Sequence, residues 1–495
     1  MPKKIVVIGT GFAGLSAACC LAKEGCEVTV LEKNATAGGR ARLFEQSGFT
    51  FDMGPSWYWM PDVFEKFFNH FGKKVEDYYS LKRLDPSYKI FFGEQEALDI
   101  PANYYQLLQL FDQLEPGSGE KLNQFLSQAR QKYEVGMHHF VRKPGQSFTE
   151  FLNFHSFKNF YKLDLLQPFE KHLNKYFKDP RIIQLLTFPI LFLGATPKET
   201  PALYSLMNYA DIKLGTWYPM GGMHEIVRAM VRLAESLDVR FVFNQEVTSI
   251  NLTSGVASSV STVDEQYACD MVVAGGDYHF IESNCLPPSH QSYDKKYWDS
   301  RTLSPSSLIF YLGVDKKLPG LEHHNLFFDS NLKRHMDEIY TNPKWPSDPL
   351  FYVSATSKTD DTVCPDGCEN LFVLIPAAPG LEDTEEIRDY YYELVIDRLE
   401  TNLGVELHDS VVYKRSYAHR NFIQDYHAFK GNAYGLANTL SQTAFLKPKI
   451  RSKKVSNLYY TGQLTVPGPG VPPSLISGQI VAEEIIKKIG HETAV

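Results

Sequence analysis

The N-terminal residues combine two short apolar runs with one segment of helical periodicity. Residues 5–8 are a β-branched run typical of a strand buried on both faces of a parallel sheet. Residues 27–31 alternate between polar and apolar side chains in the manner of a second strand. Between the two runs, apolar side chains recur at the spacing of one helix face at Leu15, Ala18, Leu21 and Ala22. The pattern therefore predicts a strand–helix–strand unit.

Three glycines, Gly9, Gly11 and Gly14, lie where the first predicted strand passes into the helix. Gly9 allows a tight turn, Gly11 lets the backbone approach a pyrophosphate, and Gly14 brings the helix close to the strand. The first amides of the helix would face the phosphates. Glu32, eighteen residues after Gly14, is placed to accept hydrogen bonds from ribose hydroxyls. Together these features predict a dinucleotide site.

Later segments of the chain continue the same sheet. We interpret the apolar runs at residues 239–243, 244–250 and 269–274 as parallel strands, and residues 457–462 as another strand that ends in a glycine turn. A helix is predicted before them because apolar residues recur at Ile226, Met230, Leu233 and Ala234. Long insertions separate these segments, so the nucleotide domain is expected to be discontinuous.

Length and composition restrict the classes of function that the chain can have. A chain of 495 residues is longer than one hydrophobic core usually organises, so two domains are expected. A net charge of −8 argues against a nucleic-acid partner, because such binding needs a basic face. Aromatic residues make up 13 % of the chain, and they are dense where the glycine motifs stop, in residues 76–216 and 291–450. Such segments suit an apolar ligand.

The cysteines and apolar stretches exclude other classes. Seven cysteines without framework spacing indicate reduced thiols in a cytosolic compartment. Cys364 and Cys368 lie close together, but no second Cys/His pair follows that would complete a zinc site, so no metal is expected. The apolar stretch 187–194 is far shorter than the ~20 residues of a bilayer span. Any membrane contact is therefore expected to be peripheral.

A second glycine motif follows the ribose acid. Gly38, Gly39 and Arg40 come soon after Glu32, and residues 48–56 continue as Gly-Phe-Thr-Phe-Asp-Met-Gly-Pro-Ser. A nicotinamide dehydrogenase has no need of this glycine pair and arginine. The pattern resembles flavoproteins of the amine-oxidase and phytoene-desaturase superfamily, in which it supports FAD and the arginine lies near the diphosphate.

The resemblance extends over nearly the whole chain. Residues 217–222 (Trp-Tyr-Pro-Met-Gly-Gly) and the proline–glycine loop at 467–473 resemble the phytoene desaturase family, the FAD-dependent carotenoid desaturases of bacterial and fungal type. A helix is predicted from Ser474, and its N-terminus suits the negative charge of a reduced flavin. The family's terminal loop often has Gly-Thr-His-Pro-Gly where residues 464–468 are Leu-Thr-Val-Pro-Gly. A histidine contact is therefore not expected here.

The resemblance implies that the cofactor is FAD and that three parts of the chain bind it. In the superfamily, the valine of an N-x-x-V strand contacts the adenine through its backbone, and this valine would be Val247. The implied FAD-binding residues are Gly9, Gly11, Gly14, Glu32, Gly38, Gly39, Arg40, Gly54, Pro55, Ser56, Val247, Gly462 and Val471.

The predicted fold class is α/β, with two domains. A discontinuous Rossmann-like FAD-binding domain is expected from residues 1–75, 217–290 and 451–495. A mixed α+β substrate domain, with membrane-associating helices and an antiparallel sheet, is expected from residues 76–216 and 291–450.

Within the substrate domain, residues 307–313 and 371–377 predict strands of the antiparallel sheet that floors the substrate cavity. Residues 155–178 mix Phe, Tyr, Leu and Lys and are a candidate membrane-docking segment. The expected substrate is a carotenoid, which dissolves in bilayers, so a cytoplasmic enzyme bound peripherally to the membrane is expected.

The expected reaction removes a hydride from an allylic carbon of the polyene and a proton from its neighbour. FAD takes the hydride, since no amino-acid side chain does so. His139, Arg142 and Asp211 are candidate catalytic residues, because each is polar within a largely apolar stretch. Oxygen and a quinone both stay open as electron acceptors.

Several other functions stay open. A later-step carotenoid 3,4-desaturase acting on a hydroxylated or gamma-carotene-type substrate, a carotenoid isomerase and an amine oxidase would carry the same glycine motifs. A non-catalytic isoprenoid-binding protein with this architecture is also open, although the phosphate-binding glycines, Glu32 and Arg40 are all present.

Overall fold

A computed structural model describes residues 2–93, 96–147, 150, 167–191, 194 and 196–493. The segment 151–166, which holds much of the candidate membrane-docking stretch and many of its phenylalanines, lies outside the described residues. The side chain of His139 also lies outside them.

The strands are β1 (Lys4–Ile8), β2 (Glu27–Leu31), β3 (Leu43–Gln46), β4 (Phe49–Asp52), β5 (Leu81–Arg83), β6 (Tyr88–Gly93), β7 (Glu96–Ile100), β8 (Trp217–Pro219), β9 (Arg240–Val242), β10 (Val247–Thr253), β11 (Val256–Thr262), β12 (Gln266–Ala268), β13 (Met271–Ala274), β14 (Ser306–Val314), β15 (His324–Phe327), β16 (Phe351–Ser354), β17 (Glu369–Ala377), β18 (Val411–Tyr417) and β19 (Leu458–Tyr460). The α-helices are Phe12–Lys23, Pro61–His70, Tyr104–Leu114, Ser118–Val135, Phe169–Leu173, Pro180–Leu191, Leu206–Tyr209, His224–Glu235, Tyr278–Asn284, Lys295–Asp299, Leu332–Tyr340, Glu385–Leu403, His419–Tyr426 and Val471–Thr493.

A five-stranded parallel sheet has the order β19-β13-β1-β2-β9. Strand β13 is buried along its whole length and β1 is buried after its first residue, as expected of central strands covered on both faces. The helix Phe12–Lys23 connects β1 to β2, which confirms the predicted strand–helix–strand unit. The predicted α/β class is likewise confirmed.

One strand was assigned to the wrong sheet. Residues 244–250 were expected to continue the parallel sheet, but β10 forms a separate antiparallel sheet with β11 and β12. Ser254 and Gly255 have φ values of 52° and 77°, which is the backbone of a two-residue hairpin turn. The turn folds β10 back onto β11, so its ladder cannot join β9.

The antiparallel strands predicted in the substrate segments are confirmed. Strand β14 pairs with β17 over nine residue pairs, within a seven-stranded sheet of order β18-β14-β17-β16-β15-β6-β7. Only the β15–β6 pair in this sheet is parallel. All strands of the parallel sheet come from residues 1–75, 217–290 and 451–495, and all strands of the seven-stranded sheet come from 76–216 and 291–450.

The C-terminal helix covers the first helix. It begins at Val471, three residues before the predicted Ser474. A Cβ on Gly478 would lie 2.3 Å from the Ala13 carbonyl oxygen, so the two helices approach closely. Within the described residues, no helix has both the length and the apolar composition to cross a bilayer.

Candidate active site

A cavity of about 460 Å³ lies at the carboxyl ends of β1 and β2 and reaches the seven-stranded sheet. Ligand sites of open α/β sheets occupy this edge. Of the residues expected to bind FAD, the cavity is lined by Gly9, Gly11, Glu32, Gly38, Gly39, Arg40, Gly54, Pro55, Ser56, Val247, Gly462 and Val471. Folding therefore gathers residues from three distant parts of the chain.

Gly14 is expected to bind FAD, but it does not line the cavity in the described structure. A Cβ at this position would lie 2.0 Å from the Gly9 carbonyl oxygen, a distance that no side chain tolerates. Gly14 therefore brings the helix against the strand, and the cavity side of the turn is left to Gly9 and Gly11.

Glu32 is buried at the end of β2, with its carboxylate held on both sides. Its Oε2 accepts hydrogen bonds from the Thr10 amide at 2.9 Å and the Thr10 hydroxyl at 2.5 Å. Its Oε1 accepts from the backbone and side-chain nitrogens of Asn34 at 2.8 and 2.9 Å. Thr10 and Asn34 also line the cavity. These contacts fix the carboxylate where a ribose would lie, and sequence reasoning missed both partners.

Arg40 and Asp277 are two further ionisable residues that line this half of the cavity. The Arg40 Nη2 donates to the Asn432 carbonyl oxygen at 3.3 Å, whereas its Nε is buried with no hydrogen-bond partner among the described residues. Burial lowers the pKa of Arg40, against the opposing effect of Asp277. A buried guanidinium with an unused donor fits the diphosphate of a dinucleotide.

Asp277 follows β13 and accepts from the Phe280 amide at 3.0 Å, and burial raises its pKa to about 6. Asp277 was assigned no role in the sequence analysis. An acid after a parallel strand was the signal available, because such positions open onto the ligand site.

The loop between β19 and the C-terminal helix forms another side of the cavity. Gly462 follows β19, and its amide donates to the Ser477 hydroxyl at 3.0 Å. Pro467, Pro469 and Gly470 line the cavity just before Val471, the first residue of the C-terminal helix. The positive end of that helix therefore faces the cavity.

The remaining wall is apolar. It combines aromatic and aliphatic side chains from residues 57–60 and from both substrate segments: Trp57, Trp59, Met60, Met137, Val141, Tyr204, Leu206, Met207, Ile309, Tyr352, Leu374, Phe422 and Tyr434. A cavity with one polar and one apolar half suits a nucleotide cofactor beside an apolar substrate.

Trp57 is fixed by a buried polar pair. Its ring stacks on His324 with a centroid separation of 3.9 Å, and the His324 Nδ1 lies 2.6 Å from the Tyr352 hydroxyl. Burial lowers the pKa of His324 well below its ordinary value, so the ring is neutral. The Trp57 Nε1 and the Ser307 hydroxyl are buried and have no hydrogen-bond partner among the described residues.

A smaller chamber of about 90 Å³ continues from the cavity. Tyr352, Leu374 and Tyr434 line both spaces and separate them. The chamber wall is otherwise mainly apolar and includes Phe188, Phe328, Met336, Ile339 and Leu350.

The residues expected to be catalytic lie around the cavity rather than in its described wall. Asp211 accepts from Tyr88 at 2.8 Å and Thr216 at 3.2 Å, and burial raises its pKa to about 6. Thr216 in turn accepts from Trp59 Nε1 at 2.9 Å, so Asp211 lies one layer behind a lining residue.

The other two candidates do not line the cavity in the described structure either. Arg142 donates to the side chain of Gln479 on the C-terminal helix at 3.1 Å. His139 belongs to the turn Gly136–Phe140, between the lining residues Met137 and Val141, but its side chain lies outside the described part.

Comparisons with known proteins identify the relatives of this chain. The family model described as flavin containing amine oxidoreductase matches residues 12–486. The chain is 42% identical to a carotenoid 3,4-desaturase of Haloarcula japonica over 98% of this chain and 98% of that protein. It is 30% identical to a zeta-carotene-forming phytoene desaturase of Myxococcus xanthus over 98% and 94% of the two chains.

The fold is also known from solved structures. An oxidoreductase of Methanosarcina mazei matches with a TM-score of 0.63 at 18% identity, over 97% of this chain and 100% of that chain.

Proposed function

This chain belongs to the flavin-containing amine oxidoreductases, among the carotenoid desaturases of the phytoene desaturase family, and we propose that it desaturates a long apolar polyene through FAD. The family membership confirms the resemblance found in the sequence motifs and the expected FAD cofactor. The observation that carries the proposal is a single cavity with a nucleotide-like polar half and an aromatic half.

The polar half fits FAD in its donors and acceptors. We assign the ribose hydroxyls to Glu32, the diphosphate to Arg40 and the first amides of the helix Phe12–Lys23, and the adenine to the backbone at Val247. The buried, unused Nε of Arg40 supports this assignment, because such a donor calls for an acceptor from the ligand.

When bound, FAD supplies the hydride acceptor. The residues of the chain orient the polyene and keep water away. Trp57 and Trp59 form an aromatic wall of two rings tilted by 50° to each other, and their positions are fixed by His324 and Thr216. An allylic cation is delocalised over the double bonds of the substrate, so alignment and a dry surface contribute most of what the protein must provide.

We propose three candidates for the base that removes the neighbouring proton. Asp211 lies behind the wall, where it accepts from Thr216 and Thr216 accepts from Trp59; an indole N–H does not accept a proton, so this chain would position Trp59, and Asp211 would need direct access to serve as the base. His139 lies beside cavity-lining residues, and Arg142 lies toward the C-terminal helix. The three remain candidates, and kcat of the Asp211→Asn variant tests the first of them.

The finer proposal is a 3,4-desaturation. The support is the higher identity to the Haloarcula japonica carotenoid 3,4-desaturase than to the phytoene desaturase, 42% against 30%. A substrate carrying a hydroxyl would meet two donors without protein partners, Trp57 Nε1 and the Ser307 hydroxyl. This observation favours a hydroxylated carotenoid over a hydrocarbon.

We also propose that residues 1–75, 217–290 and 451–495 form the FAD-binding domain and residues 76–216 and 291–450 the substrate domain. Because the substrate dissolves in bilayers, we propose peripheral membrane docking from the cytoplasmic side, with oxygen or a quinone as electron acceptor. Flotation with liposomes tests the docking, and reoxidation rates with each acceptor separate the two.

Product analysis tests the function. The FAD-loaded protein is incubated in liposomes with phytoene, gamma-carotene and a 1-hydroxylated carotenoid, and the products are resolved by chromatography and mass spectrometry. We expect the loss of two hydrogens per step, fastest with the hydroxylated substrate. A product of unchanged mass would indicate an isomerase, turnover of amines would indicate an amine oxidase, and no product from the flavin-loaded protein would overturn the proposal.

A further inference from the structure

The Nζ of Lys447 is buried and has no hydrogen-bond partner among the described residues. The residue is 2% exposed. Burial lowers its pKa to about 7, and no charged side chain of the described residues contributes to that change. An unpaired buried charge costs several kcal/mol, on the order of the stability of a domain. The charged form of Lys447 therefore becomes favourable only when an anionic partner comes close to its Nζ.

The neighbouring lysine shows the ordinary arrangement. Lys449 is half-buried, and its Nζ donates to the carbonyl oxygens of Gly145 at 2.8 Å and Phe445 at 2.6 Å. Glu150 also raises its pKa against the effect of burial. Lys447, two residues earlier, has none of these contacts, so the lack of a partner is specific to its position.

That position is beside the proline–glycine loop. A Cβ on Gly468 would lie 3.1 Å from the Lys447 Nζ and 3.1 Å from the Asn438 Oδ1. The Asn438 Oδ1 is a second buried atom without a partner among the described residues, and Asn438 lines the cavity. The residues on either side of Gly468, Pro467 and Pro469, line it as well. The Lys447 Nζ and the Asn438 Oδ1 therefore both lie beside the Gly468 loop, which forms one stretch of the cavity wall.

The reduced flavin would provide the partner that Lys447 lacks, because the reaction gives the flavin a negative charge. A hydride carries two electrons and one proton from the substrate C–H bond to the oxidised flavin ring, which thereby gains one negative charge. The first turn of the helix Val471–Thr493 faces the same wall with its positive end. In a site of low dielectric, a cation a few ångströms behind the wall interacts strongly with such a charge.

We propose that Lys447 is a positioning residue that stabilises the negative charge of the reduced cofactor. It takes up a proton from solvent as FAD is reduced, and the resulting ammonium acts on the cofactor across the Gly468 loop. Lys447 does not line the cavity in the described structure and touches no reacting atom. It acts through the loop, together with Asn438. The proposal rests on the proposed function only in requiring FAD in this cavity.

The test compares FAD-loaded Lys447→Met and Lys449→Met with the wild type. The midpoint potential of bound FAD is measured by reductive titration at several values between about pH 6 and pH 9, a range that brackets the lowered pKa of Lys447. We expect Lys447→Met to lower the equilibrium constant for two-electron reduction by about tenfold or more, and tenfold corresponds to about 30 mV. Lys449→Met should leave it unchanged.

Two further readouts keep the test decisive. Removal of an unpaired buried charge should raise the melting temperature of the cofactor-free Lys447→Met protein, whereas a structural role would lower it. Above about pH 7 the wild type should also take up as much as one more proton per two-electron reduction than Lys447→Met, with the difference vanishing toward pH 6, and the wild-type pH dependence is measurable even if the variant fails to fold. An unchanged potential in a folded, FAD-loaded Lys447→Met protein would overturn the proposal while leaving the desaturase function intact. A wild type without bound FAD would instead overturn the proposed function.

Discussion

Glu32 is the single residue whose removal should weaken FAD binding most directly. The Glu32→Ala substitution removes the acceptor for the ribose hydroxyls, and hydrogen bonds to a charged group contribute about 1.5–3 kcal/mol. We expect the Kd for FAD to rise by about tenfold to a hundredfold. Equilibrium dialysis of the apoprotein with FAD measures this change.

The control is Glu27→Ala, because Glu27 is an exposed acid at the start of the same strand. Its Kd should equal that of the wild type. Retention of FAD by Glu32→Ala through gel filtration, at the wild-type level, would contradict the ribose assignment.

Asp211 gives a pH dependence of stability that can be worked out in advance. Its pKa is raised by burial to about 6 in the folded protein, from 3.8. The contribution of this group to stability is therefore fully present below pH 3.8 and is lost as the pH rises through 6. Asp211→Asn removes the ionisation, so above that range the variant should be the more stable protein, by up to about 3 kcal/mol.

Chemical denaturation of wild type and Asp211→Asn between about pH 4 and pH 8 tests this, with the exposed Asp238→Asn as control. The difference in unfolding free energy should grow with pH and nearly vanish at the acid end. A variant that is less stable at every pH would show that the carboxylate is needed for packing, and the burial argument would be wrong.

The glycine-motif residues that line the cavity were predictable because their motifs carry a physical reason. The glycines, Glu32 and Arg40 follow from the needs of a pyrophosphate and a ribose. Thr10 and Asn34 were missed, because they act by donating hydrogen bonds to Glu32 and no rule of sequence spacing predicts such a role. The positions of candidate catalytic residues were not predictable either, because a polar residue in an apolar stretch is as often bonded within the core, as Asp211 is.

At the scale of elements, the contact between the first helix and the first strand is the tightest in the nucleotide half. Gly14→Ala would place a Cβ 2.0 Å from the Gly9 carbonyl oxygen. We expect a loss of unfolding free energy of about 1–3 kcal/mol or more, because backbone atoms on both sides must move. Thermal unfolding of the apoprotein measures it.

Gly490→Ala is the matched control, because no atom lies within 4 Å of a Cβ built on this residue of the C-terminal helix. Alanine is the better helix former, so this variant should be as stable as the wild type or slightly more so. Equal stability of the two alanine variants would contradict the packing role of Gly14.

Elements were predicted well where periodicity and flanking glycines agreed. β1, the helix Phe12–Lys23 and the antiparallel pair β14–β17 all lie within a few residues of their predicted bounds. β10 was placed in the wrong sheet because its apolar content was weighed and the Ser254-Gly255 turn was not. The parallel pairing of β6 with β15 joins residues far apart in the chain, which local patterns do not encode.

At the scale of the whole molecule, the cavity and the smaller chamber are separated by Tyr352, Leu374 and Tyr434, and we expect a long substrate to pass these side chains and occupy both spaces. Ile339 lines the chamber and is buried. Ile339→Trp should fill the chamber, and the steric cost of about 1–3 kcal/mol should lower kcat/KM for a full-length carotenoid by about tenfold or more. A short polyene that ends before the chamber should be affected little.

Steady-state kinetics with both substrates in liposomes test this, with Val412→Trp as control, since Val412 is 55% exposed on β18. Equal losses for the long and the short polyene would argue against a path that continues into the chamber.

The most direct test of the account is an anaerobic single-turnover experiment on the FAD-loaded protein mixed with excess carotenoid in liposomes. The account predicts that flavin absorbance bleaches while the polyene spectrum shifts to longer wavelength, with one new double bond formed for each flavin reduced. Flavin that stays oxidised while the carotenoid is bound, or a new double bond formed without flavin reduction, would contradict the claim that this cavity passes a hydride from a polyene to FAD.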